Sequence, residues 1–490
     1  MMKKLFIFFT IIIIAVNTFA QECNCGKAFD WIVSTFEEND AGFQYVIDKK
    51  GKDDYIKYTA LYKEKAKSIT TLNDCSDVMN GWLHYFRSGH IGAGLKESGE
   101  NSKKLSDAEI RLQYKNEKTI ELTENQLINI LEKKQNKNPI EGIWDNGVYS
   151  IGIIGDEKSN KKFTAFIIKA DSVYWMPKQV KAGFTLNDDN KTFTVDYYMQ
   201  DHSKQATQAK LINDSGTLLS IHKNYWTRVY PESKITKKEE LLVSFNKYRL
   251  PFVEKLSDKT VYIRIPSFAP DKKKDIDSVL AKYNSLITSI PNLIIDIRNG
   301  TGGNDASYKK IIPYLYTNPI RTVGMQLYAT KLNAEAYEKY AKIFNDTSDI
   351  NHGNRVARKM RENIGKFITL SEQTYSLDSL DKVLPYPEKV AIICNQFNGS
   401  TDEQFLLDAK QSTKVKVFGR PTGGMLDISN INVIEFTDGN FVVGLGYCMS
   451  KSYRIPDYCI DGVGIQPDYF IDDAISEDDW IEYTKSVLEQ

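Results

Sequence analysis

Two segments about a hundred residues apart constrain most strongly what this chain can fold into. Each is an apolar run of strand length that ends in a glycine-containing turn, and a helical pattern follows the turn. This order is typical of α/β sheets, in which the carboxyl ends of the strands form the ligand crevice. The segments are Asn292-Leu-Ile-Ile-Asp-Ile-Arg-Asn-Gly-Thr-Gly-Gly-Asn304 and Val390-Ala-Ile-Ile-Cys-Asn-Gln-Phe-Asn-Gly-Ser-Thr-Asp-Glu403.

The two turns offer complementary chemical groups. The first supplies flexible backbone N–H groups at Gly302 and Gly303, and the second supplies the Ser400 hydroxyl and the N–H of Thr401. Oriented N–H donors and a nucleophile are the two halves of an acyl-transfer site. A phosphate loop is the weaker interpretation, because the glycines fit neither nucleotide-binding pattern. Ser400 and Glu403 also fit a helix capping box, Ser-x-x-Glu.

The N-terminus has the pattern of a signal peptide over residues 1–20. Lys3 and Lys4 precede an apolar run at residues 5–16, and Thr18-Phe19-Ala20 offers small residues for cleavage. The apolar run is short for a membrane span, so an uncleaved anchor is the weaker alternative. We therefore expect an exported protein that begins near Gln21, in the periplasm, the cell envelope or the medium, with no stable membrane anchor.

The remaining sequence predicts a multidomain α+β protein. Residues 21–137 are predicted to be helical, and residues 73–87 carry apolar side chains at helical spacing. Residues 139–231 alternate apolar and polar side chains between Asn/Asp/Gly turns, which predicts a small antiparallel β-domain, a barrel or a sandwich. Residues 238–490 alternate strands and helices and predict a C-terminal α/β domain, with a charged helical insertion at residues 332–365.

Charge and cysteine content exclude some classes of function. Lys+Arg and Asp+Glu both number 64, so no net charge favours nucleic acid or an anionic surface. The six cysteines follow no zinc-binding spacing, and we expect neither a metal nor a cofactor. In an exported chain disulfides are permitted. Cys23 or Cys25 could reach Cys75, Cys448 could pair with Cys459, and Cys394 is expected to be a buried thiol.

Five motifs in order resemble the tail-specific, or C-terminal-processing, serine peptidases. The resemblance covers residues 255–472 and is closer to the tricorn-core type than to the Ser-Lys type. It implies a ClpP/crotonase-like α/β peptidase domain, peptide or protein substrates, and Ser400 as the nucleophile. The motifs are Tyr262-Ile-Arg-Ile-Pro-Ser-Phe268, Asp296-Ile-Arg-Asn-Gly-Thr-Gly-Gly303, Ser400-Thr-Asp-Glu403, Gly419-Arg-Pro-Thr-Gly-Gly424 and Asp461-Gly-Val-Gly-Ile-Gln-Pro-Asp468.

The resemblance also implies a general base and an acidic partner. Met425 occupies the slot of the lysine base, so the tricorn-like histidine is expected instead. His90, in the turn Ser88-Gly-His-Ile-Gly92, is the candidate base, and Gly89 departs from the serine that precedes the tricorn histidine. Asp461 takes the acidic position and could orient His90 or assist Ser88. The competing interpretation of Asp461 is an aspartate that belongs only to the turn before Gly462.

Two alternatives to a peptidase follow from the same sequence. The missing lysine, Gly89 and Asp461 fit a catalytically inactive protein that binds a peptide or another ligand on this scaffold, as retinoid-binding relatives do. The β-domain occupies the place of a peptide-binding domain in relatives and would serve substrate docking or scaffolding. A weaker alternative gives it glycan binding through Trp144, Trp175 or Trp226, although core packing is the commoner fate of tryptophan.

Overall fold

The structure of the protein is a computed structural model, and it describes residues 23–97, 105–156, 158–212, 215–222, 224–247, 250–343, 347–439 and 441–490. The predicted signal peptide, residues 1–20, lies outside the described residues. The helices are α1 (Cys25–Asn39), α2 (Phe43–Lys50), α3 (Lys52–Lys67), α4 (Leu72–Leu83), α5 (Asp107–Tyr114), α6 (Glu124–Lys133), α7 (Lys237–Lys247), α8 (Lys273–Ile287), α9 (Ile312–Leu315), α10 (Lys331–Ile343), α11 (Thr347–Arg361), α12 (Thr401–Ala409) and α13 (Trp480–Leu488).

The strands are β1 (Gly92–Glu97), β2 (Gly142–Asp145), β3 (Ser150–Asp156), β4 (Ser159–Lys169), β5 (Val180–Leu186), β6 (Thr192–Tyr198), β7 (Lys204–Leu211), β8 (Leu218–Ile221), β9 (Asn224–Tyr230), β10 (Phe252–Lys255), β11 (Thr260–Arg264), β12 (Asn292–Asp296), β13 (Ile320–Val323), β14 (Met325–Tyr328), β15 (Phe367–Thr369), β16 (Tyr375–Asp378), β17 (Lys389–Cys394), β18 (Val415–Gly419), β19 (Ile428–Asp438), β20 (Phe441–Ser452) and β21 (Tyr469–Phe470).

The chain divides into two compact units, each drawn from separate segments. The first unit is drawn from Met1–Ser102, Arg321–Leu377 and Gly423–Gly464. The second unit is drawn from Lys103–Ile320, Asp378–Thr422 and Ile465–Gln490. The sequence analysis predicts domains at residues 21–137, 139–231 and 238–490. These are continuous stretches of chain, whereas each compact unit combines several segments, so the domain boundaries remain predictions.

In the first unit, helices α1–α4 pack with an antiparallel sheet. The sheet has the order β1-β20-β14-β15, and β19 forms a hairpin with β20. The spacing that predicts a helix at residues 73–87 gives α4, whose buried side chains Cys75, Met79, Trp82 and Leu83 lie on one face. The helix ends at Leu83, earlier than predicted, and the glycine-rich turn leads into β1, a strand that the sequence analysis missed.

Cys25 and Cys75 form a disulfide between α1 and α4, which decides between the two partners considered for Cys75. The pairing of Cys448 with Cys459 is wrong, because both are free thiols. Cys448 is buried in β20, where its Sγ lies 3.2 Å from the carbonyl oxygen of His90. Cys394 is a fully buried free thiol, as predicted.

In the second unit, β2–β9 close into an antiparallel barrel. The side chains of Trp144, Trp175 and Trp226 are fully buried in its core. The glycan-binding alternative is therefore wrong for these three residues, since none of them offers a stacking surface. Helix α6 covers one side of the barrel and packs Leu127 and Leu131 against it.

The second unit also contains a six-stranded sheet in the order β10-β11-β12-β17-β18-β21. Strands β11, β12, β17, β18 and β21 are parallel, and only β10 is antiparallel to its neighbour. Every residue of β11 and β12 is buried, as expected of parallel strands covered on both faces. The carboxyl ends of these strands meet at one edge, where the two predicted loops begin.

The acidic segment near the C-terminus contains one largely buried carboxyl group. The Asp478 side chain is 13% exposed and pairs with Lys210 at 3.0 Å. The hydroxyl of Tyr225 in the barrel also donates to Asp478. Within the described residues, no helix has both the length and the hydropathy needed to cross a membrane.

Replacing Cys25 and Cys75 together by serine should destabilise the helical part of the first unit. The bridge spans 50 residues of sequence, and restraining a loop of that length in the unfolded chain contributes about 4 kcal/mol. We expect the double variant to unfold at a lower urea concentration when followed by circular dichroism. Cys23→Ser, which alters a buried free thiol, is the control, and an unchanged midpoint in the double variant would contradict the prediction.

Candidate active site

Ser400 stands in a sharp turn between β17 and α12. Its backbone has φ 60° and ψ −123°, a conformation that non-glycine residues rarely adopt. The residue is the N-cap of α12 and is partly exposed. A strained strand-to-helix turn of this kind lifts a serine hydroxyl above the end of a sheet. Backbone strain that the surroundings maintain is characteristic of functional positions.

A buried carboxylate supports this turn. Glu403 is fully buried, and its Oε2 accepts the N–H of Ser400 at 3.1 Å, the N-cap half of the predicted capping box. The other oxygen, Oε1, accepts the hydroxyl of Thr422 at 2.5 Å. Thr422 Oγ1 in turn accepts the N–H of Ile465 at 2.7 Å. The turn is thereby tied to the segment that follows β18, through a residue that the sequence analysis did not single out.

The glycine loop after β12 lies directly against the Ser400 turn. A Cβ atom built on Gly302, which has φ 80°, would stand 2.7 Å from Ser400 Cβ and 3.1 Å from Thr401 N. Gly303 has φ 148°, and a Cβ there would come within 2.1 Å of the Phe268 carbonyl. Both positions therefore require glycine. The structure brings Ser400, Thr401, Gly302 and Gly303 together.

The backbone N–H groups of this cluster differ in their partners. The buried carboxyl group of Asp402 lies against the start of the glycine loop, since a Cβ atom on Gly300 would stand 2.5 Å from Asp402 Oδ2. Thr401 is the first residue of α12, where the N–H has no acceptor inside the helix. Gly303 belongs to a bridge with Phe268, in which Gly302 O accepts the Phe268 N–H at 3.2 Å.

Asparagine side chains hold the two loops in register. Asn395 Nδ2 donates to Asn299 Oδ1 at 2.9 Å, and Asn395 Oδ1 accepts the Asn299 N–H at 3.1 Å. Asn398 Nδ2 donates to Ile297 O at 2.6 Å and to Asp402 Oδ2 at 2.8 Å. Each amide joins the segment after β17 to the segment after β12, so the nucleophile turn and the glycine loop form one assembly.

His90 lies in the first unit, in a turn with φ 59°. Its Nδ1 is 3.0 Å from the carbonyl oxygen of Ile428. Because a carbonyl can only accept, Nδ1 carries the proton, and Nε2 of the neutral ring keeps a free lone pair. Burial lowers the pKa of His90, and the approach of Arg87 adds to this, whereas the Ile428 bond and Asp461 oppose it. The ring is therefore neutral at pH 7 and suited to accept a proton.

Asp461, also in the first unit, forms hydrogen bonds to the segment that holds His90 and affects the ring only through its charge. Its Oδ1 accepts the N–H groups of Leu426 and Asp427, both at 2.7 Å, and its Oδ2 accepts that of Ile428 at 3.0 Å. Ile428 is the residue whose carbonyl binds His90. Among the described contacts, Asp461 is thus linked to His90 through the backbone of Ile428. Burial raises the pKa of Asp461.

A second aspartate, absent from the sequence analysis, completes this arrangement. Asp427 Oδ2 accepts the N–H of Asp461 at 3.2 Å, and its Oδ1 forms a buried ion pair with Arg454 at 2.7 Å. The two aspartates therefore bind each other's backbone segments reciprocally. No spacing signal distinguishes Asp427 in the sequence, because the segments meet only in the folded unit.

Gly89 and Met425, the two residues that depart from the motifs of the serine peptidases, lie against each other. A Cβ on Gly89 would stand 2.1 Å from Met425 Sδ and 2.2 Å from its Cγ. The methionine in the lysine slot thus occupies the space beside the histidine turn, and a larger residue before His90 would displace it. Ser88, the other candidate of this turn, is exposed.

Two other histidines, His84 and His202, have surroundings typical of a structural role. His84 is the exposed C-cap of α4, and His202 stacks against the rings of Tyr114 and Trp175. Two lysines that follow the Ser400 helix also have partners: Lys410 pairs with Asp468 at 2.9 Å, and Lys414 donates to Pro387 O at 3.1 Å. Across the described residues, no three acidic, histidine or cysteine side chains cluster as metal ligands would.

Comparison with known proteins supports the resemblance of the C-terminal part. Residues 259–471 match the model of peptidase family S41. The structure resembles that of mature CPAF in complex with lactacystin, with 11% identity and a TM-score of 0.50, over 95% of this chain and 97% of that chain. It is also similar to the photosystem II D1 C-terminal processing protease (11% identity, TM-score 0.39, over 96% and 98% of the two chains). The tricorn protease gives 13% identity and a TM-score of 0.39, over 95% of this chain and 36% of its own.

At these identities the structural likeness concerns the fold alone, and of the three only the CPAF structure reaches a TM-score that supports it. Among curated proteins, none matches the sequence. The family match confirms the resemblance inferred from the five motifs over residues 259–471. The roles of Ser400, His90, Asp461, Gly302, Gly303 and Thr401 stay predictions that rest on the geometry.

His90 should titrate below the ordinary histidine pKa of 6.5, because burial disfavours the imidazolium. In the unfolded chain the same ring binds a proton at higher pH. Its contribution to stability is therefore lost as the pH falls below about 6.5. Nitrogen NMR of labelled imidazoles, assigned with His90→Gln, measures both the midpoint and the tautomer. A midpoint above 6.5, or a proton on Nε2, would contradict the arrangement described here.

Proposed function

We propose that this chain, whose residues 259–471 match peptidase family S41, is a serine peptidase that hydrolyses peptide bonds in peptides or proteins. One observation carries the proposal: Ser400 stands in a strained strand-to-helix turn with a glycine loop packed against its Cβ. A turn serine without a function would gain nothing from a positive φ, which costs about 1–3 kcal/mol. The family match supplies the reaction class.

In the proposed mechanism Ser400 Oγ attacks the carbonyl carbon of the scissile peptide bond. His90, whose Nε2 keeps a free lone pair, takes the hydroxyl proton and later gives it to the leaving amine. Backbone N–H groups of the glycine loop and of Thr401 stabilise the oxyanion. Water, activated by the same histidine, then hydrolyses the acyl-enzyme and releases Ser400.

Asp461 acts as a positioning residue in this mechanism. By accepting three backbone N–H groups, it fixes the carbonyl that binds His90 Nδ1. That hydrogen bond selects the tautomer with Nε2 unprotonated, the state that a general base needs. In this respect Asp461 and Ile428 together take the part that a carboxylate plays alone in a Ser-His-Asp triad.

A catalytically inactive ligand-binding protein on the same scaffold is the alternative. Its motivation in the sequence was the absence of the lysine and the presence of Gly89 and Asp461. The packing of Gly89 against Met425, and the support that Asp461 gives to the His90 turn, fit a working histidine site as well. Because those features fit both proposals, the two are separated by the presence or absence of turnover.

Ser400→Ala should abolish the cleavage of a mixed peptide library followed by mass spectrometry, a loss of at least about a thousandfold. His90→Ala should lower the rate by about a hundred- to ten-thousandfold, because it removes the general base. His84→Ala is the matched control, since that histidine is exposed at the end of α4. Loss in Ser400→Ala but not in His90→Ala would contradict the base assignment. A folded wild-type protein that cleaves nothing would favour ligand binding.

We also propose that the protein is exported. The basic and apolar N-terminal pattern supports this, and so does the disulfide between Cys25 and Cys75, since such bridges persist in oxidising compartments. Expression in a Gram-negative host, followed by N-terminal sequencing of the periplasmic protein, should give a start near Gln21. Retention in the cytoplasm with an intact N-terminus would contradict export.

A further inference from the structure

A buried ion pair that the mechanism does not use lies in the first unit, where Arg87 precedes His90 by one turn of the chain. Arg87 donates Nη1 to Asp40 Oδ1 at 2.9 Å and Nη2 to Asp40 Oδ2 at 2.6 Å. The side chain of Asp40 is fully buried, and that of Arg87 is 7% exposed. An apolar pair of similar volume is often as stable as a buried ion pair, whereas two parallel N–H bonds to one carboxylate fix the geometry. Stability alone therefore does not account for this pair.

The Asp40 carboxylate also binds strand β20. Its Oδ2 accepts the N–H of Cys448 at 2.9 Å, and the N–H of Ala41 donates to the carbonyl oxygen of Cys448 at 2.9 Å. Its Oδ1 accepts the N–H of Gly42 at 2.9 Å. One carboxylate thus connects the end of α1, the β20 backbone at Cys448 and the guanidinium group of Arg87.

Cys448 in turn contacts the turn that contains His90. Its Sγ lies 3.2 Å from the carbonyl oxygen of His90 and 3.5 Å from that of Ile428. Burial raises the pKa of Cys448 to about 12, so at neutral pH the sulfur keeps its proton and can donate a hydrogen bond to the nearer carbonyl oxygen. The Ile428 carbonyl also accepts His90 Nδ1 at 3.0 Å. The backbone and the ring of His90 are therefore both held beside Cys448.

Gly42 makes room for this arrangement. A Cβ atom on Gly42 would stand 2.5 Å from Ile428 Cδ1 and 3.1 Å from Arg87 Nη1. The backbone of Gly42 has φ −93°, which any residue can adopt, so the glycine provides space and not a special conformation. The side chain of Ile428 and the guanidinium group of Arg87 therefore converge on the segment that directly follows Asp40.

The turn needs such anchors because His90 itself is strained. Its φ of 59° lies in the left-handed region, which non-glycine residues rarely adopt. A conformation of this kind persists only where the surroundings maintain it. Arg87 anchors the chain before His90, Cys448 anchors the His90 carbonyl, and the pairing of β1 with β20 anchors the chain after it. The first two anchors meet at Asp40.

We propose that Asp40 is the positioning residue of the His90 turn. Its bonds to Arg87 and to the Cys448 backbone hold the turn from two sides, so that Nδ1 of the ring meets the Ile428 carbonyl. This inference rests on the proposed peptidase function and refines it, because His90 as general base needs Nδ1 protonated and Nε2 free. Without the carboxylate, the ring loses its fixed carbonyl partner, and the proton then distributes between the two nitrogens.

The first test is nitrogen NMR of the full-length protein labelled at the histidine imidazoles, with His90 assigned by His90→Gln. Asp40→Asn/Arg87→Met removes both charges together, so that no buried ion is left unpaired. We expect the two nitrogen shifts of His90 to move toward each other in this variant, as the tautomers mix, while circular dichroism shows the wild-type fold. A proton that stays on Nδ1 would overturn the proposal, whether or not the protein is a peptidase. Mixing in Asp40→Asn alone, but not in the double variant, would assign the effect to the unpaired charge of Arg87 and also overturn it.

The second test measures peptide cleavage in a double-mutant cycle with His90. Asp40→Asn/Arg87→Met should lower kcat at least about tenfold with KM changed less than about twofold, because base catalysis contributes about a hundred- to ten-thousandfold. In the His90→Ala background the same substitutions should cause no further loss, since a positioning residue acts only through the group that it positions. Arg87→Lys, which keeps the charge but loses the paired bonds, should also lower kcat. Arg361→Lys is the matched control and should keep the wild-type kcat: Arg361 of α11 forms the same kind of paired bonds, to Glu338 of α10.

The outcomes separate the two proposals. If the tautomers mix but Asp40→Asn/Arg87→Met keeps the wild-type kcat, the positioning role is overturned and the peptidase stands. An equal loss of kcat in the wild-type and the His90→Ala backgrounds would show general damage to the fold and also overturn the role. If the folded wild-type protein cleaves no peptide, the peptidase proposal fails and the catalytic role of Asp40 fails with it, while the NMR result still decides whether Asp40 holds the His90 ring.

Discussion

A buried ionic cluster at the end of β12 underlies the glycine loop beside Ser400 in the second unit. Asp296 is fully buried and binds Arg298 through a 2.7 Å ion pair, and the Arg298 N–H donates to Asp296 Oδ1 at 3.0 Å. Arg264 of β11 donates to the backbone carbonyls of Asp296 and Arg298 at 2.8 and 2.7 Å. Burial works to raise the pKa of Asp296, but the two guanidinium groups outweigh it and hold that pKa below the ordinary value. Removing one partner from a buried pair typically costs about 3–5 kcal/mol, so the path of the chain into the glycine loop is strongly defined.

The loop that leaves this cluster and the turn that carries Ser400 stabilise each other. Asparagine amides join the two segments, and Asp402 and Glu403 enter from the helix that follows the serine. Each of these groups is buried and hydrogen-bonded, and such networks rigidify a structure only when their members are satisfied. The same network maintains the positive φ of Ser400. An oxyanion site requires this rigidity, since donors that must reorganise during the reaction stabilise its charge less.

The surroundings of His90, in the first unit, follow another physical plan. No carboxylate contacts the His90 ring among the described residues; a backbone carbonyl holds it, and two reciprocal aspartates hold the segment of that carbonyl. A neutral acceptor stabilises the imidazolium less than a carboxylate does, so the ring stays neutral at lower pH. As a consequence, the carbonyl stabilises the positive charge of the ring less when His90 takes up a proton. In the proposed peptidase, Asp461 supplies part of that help from one step away.

The local pattern of the sequence determined the elements, whereas long-range packing decided the chemistry of the site. Apolar runs and glycine turns were enough to predict β12, β17 and α12 and to single out Ser400, Gly302 and Gly303, because hydrophobic period and turn chemistry act over a few residues. The strand β1, the free thiols of Cys448 and Cys459 and the burial of Trp144 were not predictable, since each depends on partners far away in the chain. The same holds for Asp402 and Asp427, ordinary acidic residues until folding brings Gly300 to the first and Arg454 to the second. Composition and spacing thus determined which residues could react, and the tertiary structure alone decided which proton each one holds, because pKa and tautomer depend on burial and on neighbours that only the folded chain provides.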